Sequence, residues 1–357
     1  MKRYKKGVVL GLLMFLAFFL ACVEQKITSG LSTQQLAKRW SNEEEYAQLA
    51  CYFAETAYFE EEQIPLLQRA IVTGLEEAAI TSAKENGGRN WLDAYSTQGE
   101  LVIASNRASM SARAFGVGGD FFRFHPLTLL DGSYFDSSDI NADGVIIDEM
   151  VAWQLFGSSQ VAGMEVEING TIYPVRGVVR SDKGLFSEAV KEEAPTIYVS
   201  FAILEGEEAL FIDCYELLAL NPVKSFAKDT LEMALAMSEE QYELVECSAR
   251  YDLAHRFSVI KNFGIRSMTT KNMVFPYWEN RARGYEDVSA LILVLQILCL
   301  IYPVLWLCRM GYRLWKRRKE MRKKFWESMK GLWKKSGTLL KNKKKTDKVN
   351  KKKQKEA

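Results

Sequence analysis

Histidine is almost absent from this chain: 357 residues hold only His125 and His255. Neither has a His, Cys or carboxylate partner at a ligand spacing, so both read as surface or core-edge side chains, not metal ligands. Cysteine is also sparse. Of six, Cys22, Cys299 and Cys308 lie in or beside apolar runs, and Cys51, Cys214 and Cys247 are widely spaced. An odd set at wide spacing excludes a disulfide framework; one pair or three buried thiols both fit. Zinc motifs and Gly-x-Ser-x-Gly are missing, and "GVGGD" (116 to 120) lacks the Lys-Ser/Thr that a phosphate loop requires. It reads as flexible backbone ahead of a short apolar turn, "FFRFHP". Acids are so abundant that no pair stands out as an acid/base couple. No catalytic residue, cofactor or metal ligand is expected, and the chain is not expected to be an enzyme.

One stretch tests that exclusion. Asp139-x-Asn141-x-Asp143-Gly144 is the opening half of a calcium loop, with oxygen side chains at alternate positions and a glycine for the sharp turn. Its twelfth position, where a bidentate carboxylate belongs, is Met150, and Glu149 comes one residue early after the apolar strand "GVII". The loop does not close on a cation.

What the chain has is charge separated by sign. Residues 1 to 6 carry four basic groups and no acid, and residues 309 to 357 carry 21 basic and 4 acidic groups. Between them, residues 7 to 308 hold 22 basic against 41 acidic groups, a net charge of −19. Two uncharged apolar runs mark the boundaries: Gly7 to Val23, 17 residues, and Val288 to Cys308, 21 residues. Both suit a bilayer core of about 30 Å crossed as helix. Basic residues flank the first run on its N-terminal side and the second on its C-terminal side, so the positive-inside rule places both termini in the cytoplasm and residues 24 to 287 outside. A cleaved signal peptide is the alternative reading of the first run.

The outer region predicts an α+β fold. "YAQLACYFAE" (46 to 55), "CYELLAL" (214 to 220) and "QYELVECSA" (241 to 249) read as strands. Ile64, Leu67, Ile71, Leu75 and Ala78 recur at helical spacing behind Pro65, and a second helix is expected in "VKSFAKDTLEMALAM". "MEVEINGTIYPVRGVVR" predicts a hairpin around Asn169-Gly170, and "STQGELVIAS" predicts a turn at Gln98-Gly99.

Residues 112 to 180 resemble the extracytoplasmic core domain of MacB-type ABC transporter permeases. The matching motifs are a Gly-Asp-Phe-Phe turn (Gly119 to Phe122), Leu129 to Phe135, a strand ending on an acid (Val145 to Asp148), a helix closing on Leu-Phe-Gly (Trp153 to Gly157), and the hairpin Gly163 to Val178. The resemblance implies a MacB-like domain of mixed strands and helices between two spans, with no metal in the 137 to 144 loop. It also implies a cytoplasmic ABC ATPase, another permease subunit, or both as partners, with ATP-driven movement of the spans reshaping the outer domain. Permeases of the family carry four spans; two are seen here, with no ATP-binding motif.

After the second run, residues 309 to 335 predict a basic amphipathic helix. Leu314, Met321, Phe325, Met329 and Leu332 share one face, with Trp315, Trp326 and Trp333 beside it. These eight residues are the candidates for contact with membrane lipid or a partner. Residues 336 to 357 read as a disordered Lys-rich tail. The expected function is that of a non-catalytic membrane subunit whose outer domain transmits motion or docks partners; a stand-alone surface receptor or scaffold is the alternative. No nucleic-acid partner is expected.

Overall fold

Eight consecutive residues, Tyr46–Phe53, are buried without exception and form strand β1. A strand apolar on both faces must be covered on both faces. The computed structural model, which describes residues 2–41, 44–80, 88–135, 143–180, 186–190, 194–205, 210–266 and 272–353, places it inside a ten-stranded sheet. The other strands are β2 (Trp91–Ala104), β3 (Ser109–Gly119), β4 (Thr128–Gly132), β5 (Val145–Asp148), β6 (Glu165–Ile168), β7 (Thr171–Arg180), β8 (Thr196–Ser200), β9 (Cys214–Leu220) and β10 (Tyr242–Glu246). Their order is β10-β1-β9-β2-β3-β8-β5-β7-β4, and β6 pairs with both β2 and β7. Only β3–β8 and β5–β7 run parallel among these pairs. The fold is α+β, as the pattern of the sequence predicts.

Residues 21–293 form one unit, and residues 1–20 with 294–357 form a second. In the first, helices Ile64–Glu77 and Phe226–Leu235 bury Leu67, Ile71, Leu75, Ala227 and Leu231 in the same core as Leu49 of β1 and Leu217 of β9. Another core gathers Val145, Ile147, Val178 and Ile197 under helix Glu149–Phe156. Each terminal helix contains a segment long and apolar enough to cross a membrane, Lys6–Ser29 and Tyr277–Arg322.

The expected turn at Gln98-Gly99 is absent: β2 runs straight through it, with Gly99 opposite Ala114 of β3. The glycine serves a close approach instead. A Cβ at Gly99 would lie 3.3 Å from Leu204, and one at Gly116 on β3 would lie 2.9 Å from the same side chain. The two glycines make room for the short helix Phe201–Glu205 against the sheet. The Asn169-Gly170 hairpin joins β6 to β7 with φ of 51° and 79°, as a type I′ turn requires.

"GVGG" closes β3, and Phe121–Phe124 make one helical turn. Of the calcium-like loop, Asp139 and Asn141 lie outside the described residues. Met150 is in the first turn of helix Glu149–Phe156, and Glu149 pairs with Arg180 at 3.0 Å. Cys51, Cys214 and Cys247 are buried and unbridged. Register sets Cys51 opposite Tyr215 and Tyr52 opposite Cys214, which sends Cys51 and Cys214 to opposite faces of the sheet. Residues 336 to 353, expected to be disordered, continue helix Tyr277–Lys353. The stretch is proline-free and rich in lysine, a good helix former, so composition alone did not exclude helix.

Asp148 holds two pieces of this frame together. Its Oδ1 accepts from Val151 N (2.7 Å), capping helix Glu149–Phe156, and its Oδ2 accepts from Thr196 N (2.7 Å) at the start of β8. Asp148→Ala loses the cap and leaves a buried N–H without a partner, so it should cost about 2–3 kcal/mol. Denaturant titration of the full chain in detergent checks this; a midpoint equal to wild type would show that neither bond matters.

Candidate functional site

The last helix opens with Glu279, Arg283 and Glu286 at i, i+4 and i+7, one stripe just ahead of its apolar run. The stripe meets Arg250, which sits between β10 and helix Leu253–Lys261. Arg250 donates from Nη1 to Gln34 Oε1 (2.9 Å) and Glu279 Oε2 (2.8 Å), from Nη2 to Glu279 Oε1, and from Nε to Glu286 Oε1. The planar guanidinium fork matches a carboxylate in this bidentate way, and lysine would not. The side chains of Arg250, Glu279 and Glu286 are 1%, 0% and 4% exposed, so the cluster is dry.

Further groups complete it. The Tyr52 hydroxyl on β1 donates to Glu279 Oε2 (2.9 Å), and Arg283 donates to Glu279 Oε1 (2.7 Å) and to Glu243 on β10. The Arg283 guanidinium also lies over the Phe275 ring at 3.9 Å. His255 Nε2 is 3.3 Å from Glu286. Arg256, one residue on, pairs with Glu24 of helix Lys2–Ser29 at 2.5 Å and donates to the Ser289 carbonyl at 3.2 Å. The Ser289 hydroxyl donates to Glu24 at 3.2 Å.

Burial opposes the charge on Arg250, but Glu279 more than reverses this and raises the guanidinium pKa above its ordinary value. Tyr52 is pushed well above the usual phenol range, first by burial and then by Glu279, so its O–H remains a donor. Every carboxylate named here is engaged by a cation or a donor. The arrangement therefore ties three elements together: the sheet edge, the end of the first helix and the start of the last cannot separate without exposing charges in a dry site.

The residues that the sequence nominates lie elsewhere. Leu314, Trp315, Met321, Phe325, Trp326 and Met329 are exposed along the last helix, and Lys319 Nζ lies 5.2 Å from the Trp315 ring centroid. The side chains of Leu332 and Trp333 lie outside the described residues. His125 differs from its expected edge position: it is buried, paired with Glu216 of β9, and its ring centroid is 4.3 Å from that of Trp278. Its partner is 91 residues away, beyond any spacing rule. The Arg250 hub was likewise missed. Its one local signal is the Glu279-Arg283-Glu286 stripe, charges at helical spacing where a buried helix face begins.

Comparison with known proteins places this architecture. Residues 7–219 match the family described as MacB-like periplasmic core domain. The chain is similar to the periplasmic region of MacB from Actinobacillus actinomycetemcomitans, with 14% identity and a TM-score of 0.40 over 62% of this chain and 94% of that one. It is also similar to the extracellular domain of the noncanonic ABC-type transporter YknZ from Gram-positive bacteria, with 17% identity and a TM-score of 0.37 over 56% and 100%. No curated protein matches the chain. The family match covers more than half of the sequence, and the motifs from Gly119 to Val178 fall inside it: the chain belongs to the MacB-like periplasmic core domain family.

Proposed function

We propose that the protein is a non-catalytic membrane subunit of an ABC-type transporter, in which the extracytoplasmic domain transmits motion or docks partners. Gly7 to Val23 and Val288 to Cys308 are its spans, residues 24 to 287 lie outside, and the basic ends, 1 to 6 and 309 to 357, are cytoplasmic. The observation that carries the reading is the Arg250 cluster, which locks Glu24 of the first helix and Glu279, Glu286 and Ser289 of the last into one charged joint with the sheet. A joint of that kind passes displacement of the helices to the domain without loss. Members of the family normally work with an ABC ATPase, and residues 309 to 335 are the natural point of contact for one. The same helix also suits an anionic membrane surface.

Protease added to intact cells should remove the central domain and spare the Lys-rich end. Gentle detergent extraction should bring down an ABC ATPase with the full chain. Trp326→Ala should abolish that recovery if one buried anchor carries docking, since hot spots concentrate binding energy in few side chains. Recovery without any ATPase or further permease subunit, under conditions that keep the chain folded, would replace this reading with that of a stand-alone receptor.

A further inference from the structure

Where the two apolar helices reach their basic ends, in the unit formed by residues 1–20 and 294–357, they line a half-open cavity of about 820 Å³. That is the size range of small-molecule sites, roughly 300–1,000 Å³. One wall is a single helical stripe: Tyr302, Leu305, Trp306, Arg309, Met310 and Arg313 at i, i+3, i+4, i+7, i+8 and i+11. The other wall is Lys6, Gly7 and Leu10. Three of the nine lining residues are cations and none is an acid.

The lining is graded in polarity. Lys6, Arg309 and Arg313 form the charged rim, while Leu10 and Leu305 lie further into the apolar runs. Between Arg309 and Leu305 is Trp306, an amphipathic side chain that favours the depth where headgroup meets hydrocarbon, and Tyr302 lies one turn deeper than Leu305. Gly7 leaves an opening, because a Cβ built there meets nothing within 4 Å.

We propose that this cavity is a binding site for one anionic phospholipid. Its phosphate is held by Lys6, Arg309 and Arg313, its glycerol region lies against Trp306, and an acyl chain runs along Leu10, Leu305 and Tyr302. Basic pockets between membrane helices take anionic headgroups for this reason: clustered cations meet phosphate where the low dielectric strengthens the pairing. The site does not depend on which face of the membrane the ends occupy. It rests on the reading of both helices as membrane spans, not on the presence of an ATPase.

Native mass spectrometry of the full chain in detergent, titrated with phosphatidylglycerol, phosphatidylcholine or inorganic phosphate, tests the proposal. Phosphatidylglycerol should bind with one-to-one stoichiometry and at least about tenfold more tightly than phosphatidylcholine. Lys6→Gln/Arg309→Gln/Arg313→Gln should weaken it by about tenfold or more, whereas Lys316→Gln/Arg317→Gln/Arg318→Gln, which removes equal charge from the next turn, should change it by less than about twofold. Gly7→Leu, which adds bulk where there is room and alters no charge, should also reduce binding and covers the case in which the triple variant does not fold. Equal losses in both triple variants would show general adsorption to a basic helix. Displacement of the lipid by millimolar inorganic phosphate would show a phosphate site in place of a lipid site. Either result overturns the proposal, as does equal affinity for phosphatidylcholine. None of these readouts uses an ATPase, so failure of the lipid site and failure of the transporter reading remain distinguishable.

Discussion

Gly119→Ala is expected to lower the unfolding midpoint of the full chain in detergent by roughly 10 °C, corresponding to about 3–5 kcal/mol for a domain of this size. Gly119 ends β3 at φ +66°, opposite Ala94 of β2. A methyl group there would lie 2.5 Å from the Asp93 carbonyl oxygen and 3.0 Å from the Ala94 Cα, both backbone atoms. Retreat is blocked. Asp93 is paired with Leu217 of β9 on its other side, and its carbonyl accepts from Asp120 N at 2.8 Å. What the turn positions is also at stake: Asp120, buried between Arg89 (2.6 Å) and Arg123 (3.0 Å), and the buried rings of Phe121, Phe122 and Phe124. Gly157→Ala separates the two causes. Gly157 has φ +74° but open space around its Cβ position, so only the conformational penalty of about 1–2 kcal/mol applies. If the two variants melt together, the close approach of β2 is not what demands glycine at 119.

That contrast shows where sequence reasoning reached and where it stopped. β1 and β9 were legible because a short, mostly apolar run interrupted by a single polar residue (Gln48, Glu216) and too short for a helix has few other uses, and the I′ hairpin because Asn-Gly states its own backbone geometry. Glycine without such a partner is ambiguous. At Gln98-Gly99 local sequence predicts a turn, yet Gly99 and Gly116 are there for Leu204, which is distant from both in sequence. The same limit applies to charge. His125–Glu216 and Arg250–Glu279 join residues brought together only by the sheet, and no periodicity encodes them.

Arg250→Met should be the most damaging substitution at the joint, with a loss of about 3–5 kcal/mol. Methionine fills much of the space but leaves Glu279 with Arg283 as its one remaining cation among the described residues and removes a cation from Glu286, both in a site that water does not reach. The cost is that of stranded charge, and it says little about what the intact cluster contributes. Desolvating an arginine and two glutamates opposes folding, so an apolar set of similar volume, Arg250→Met with Glu279→Leu and Glu286→Leu, should recover most of the loss. Single, double and triple variants compared by denaturant midpoint measure that coupling directly. If the triple variant is as unstable as Arg250→Met alone, packing and not charge holds the joint. If it recovers, the charged set is present for geometry: Arg250 fixes Glu279 through two nitrogens at once, whereas a greasy contact slides. Hydrogen exchange then reads the consequence. Amides at 280 to 289 should exchange at least about tenfold faster in the recovered triple variant than in wild type, because local opening there no longer breaks an ion pair.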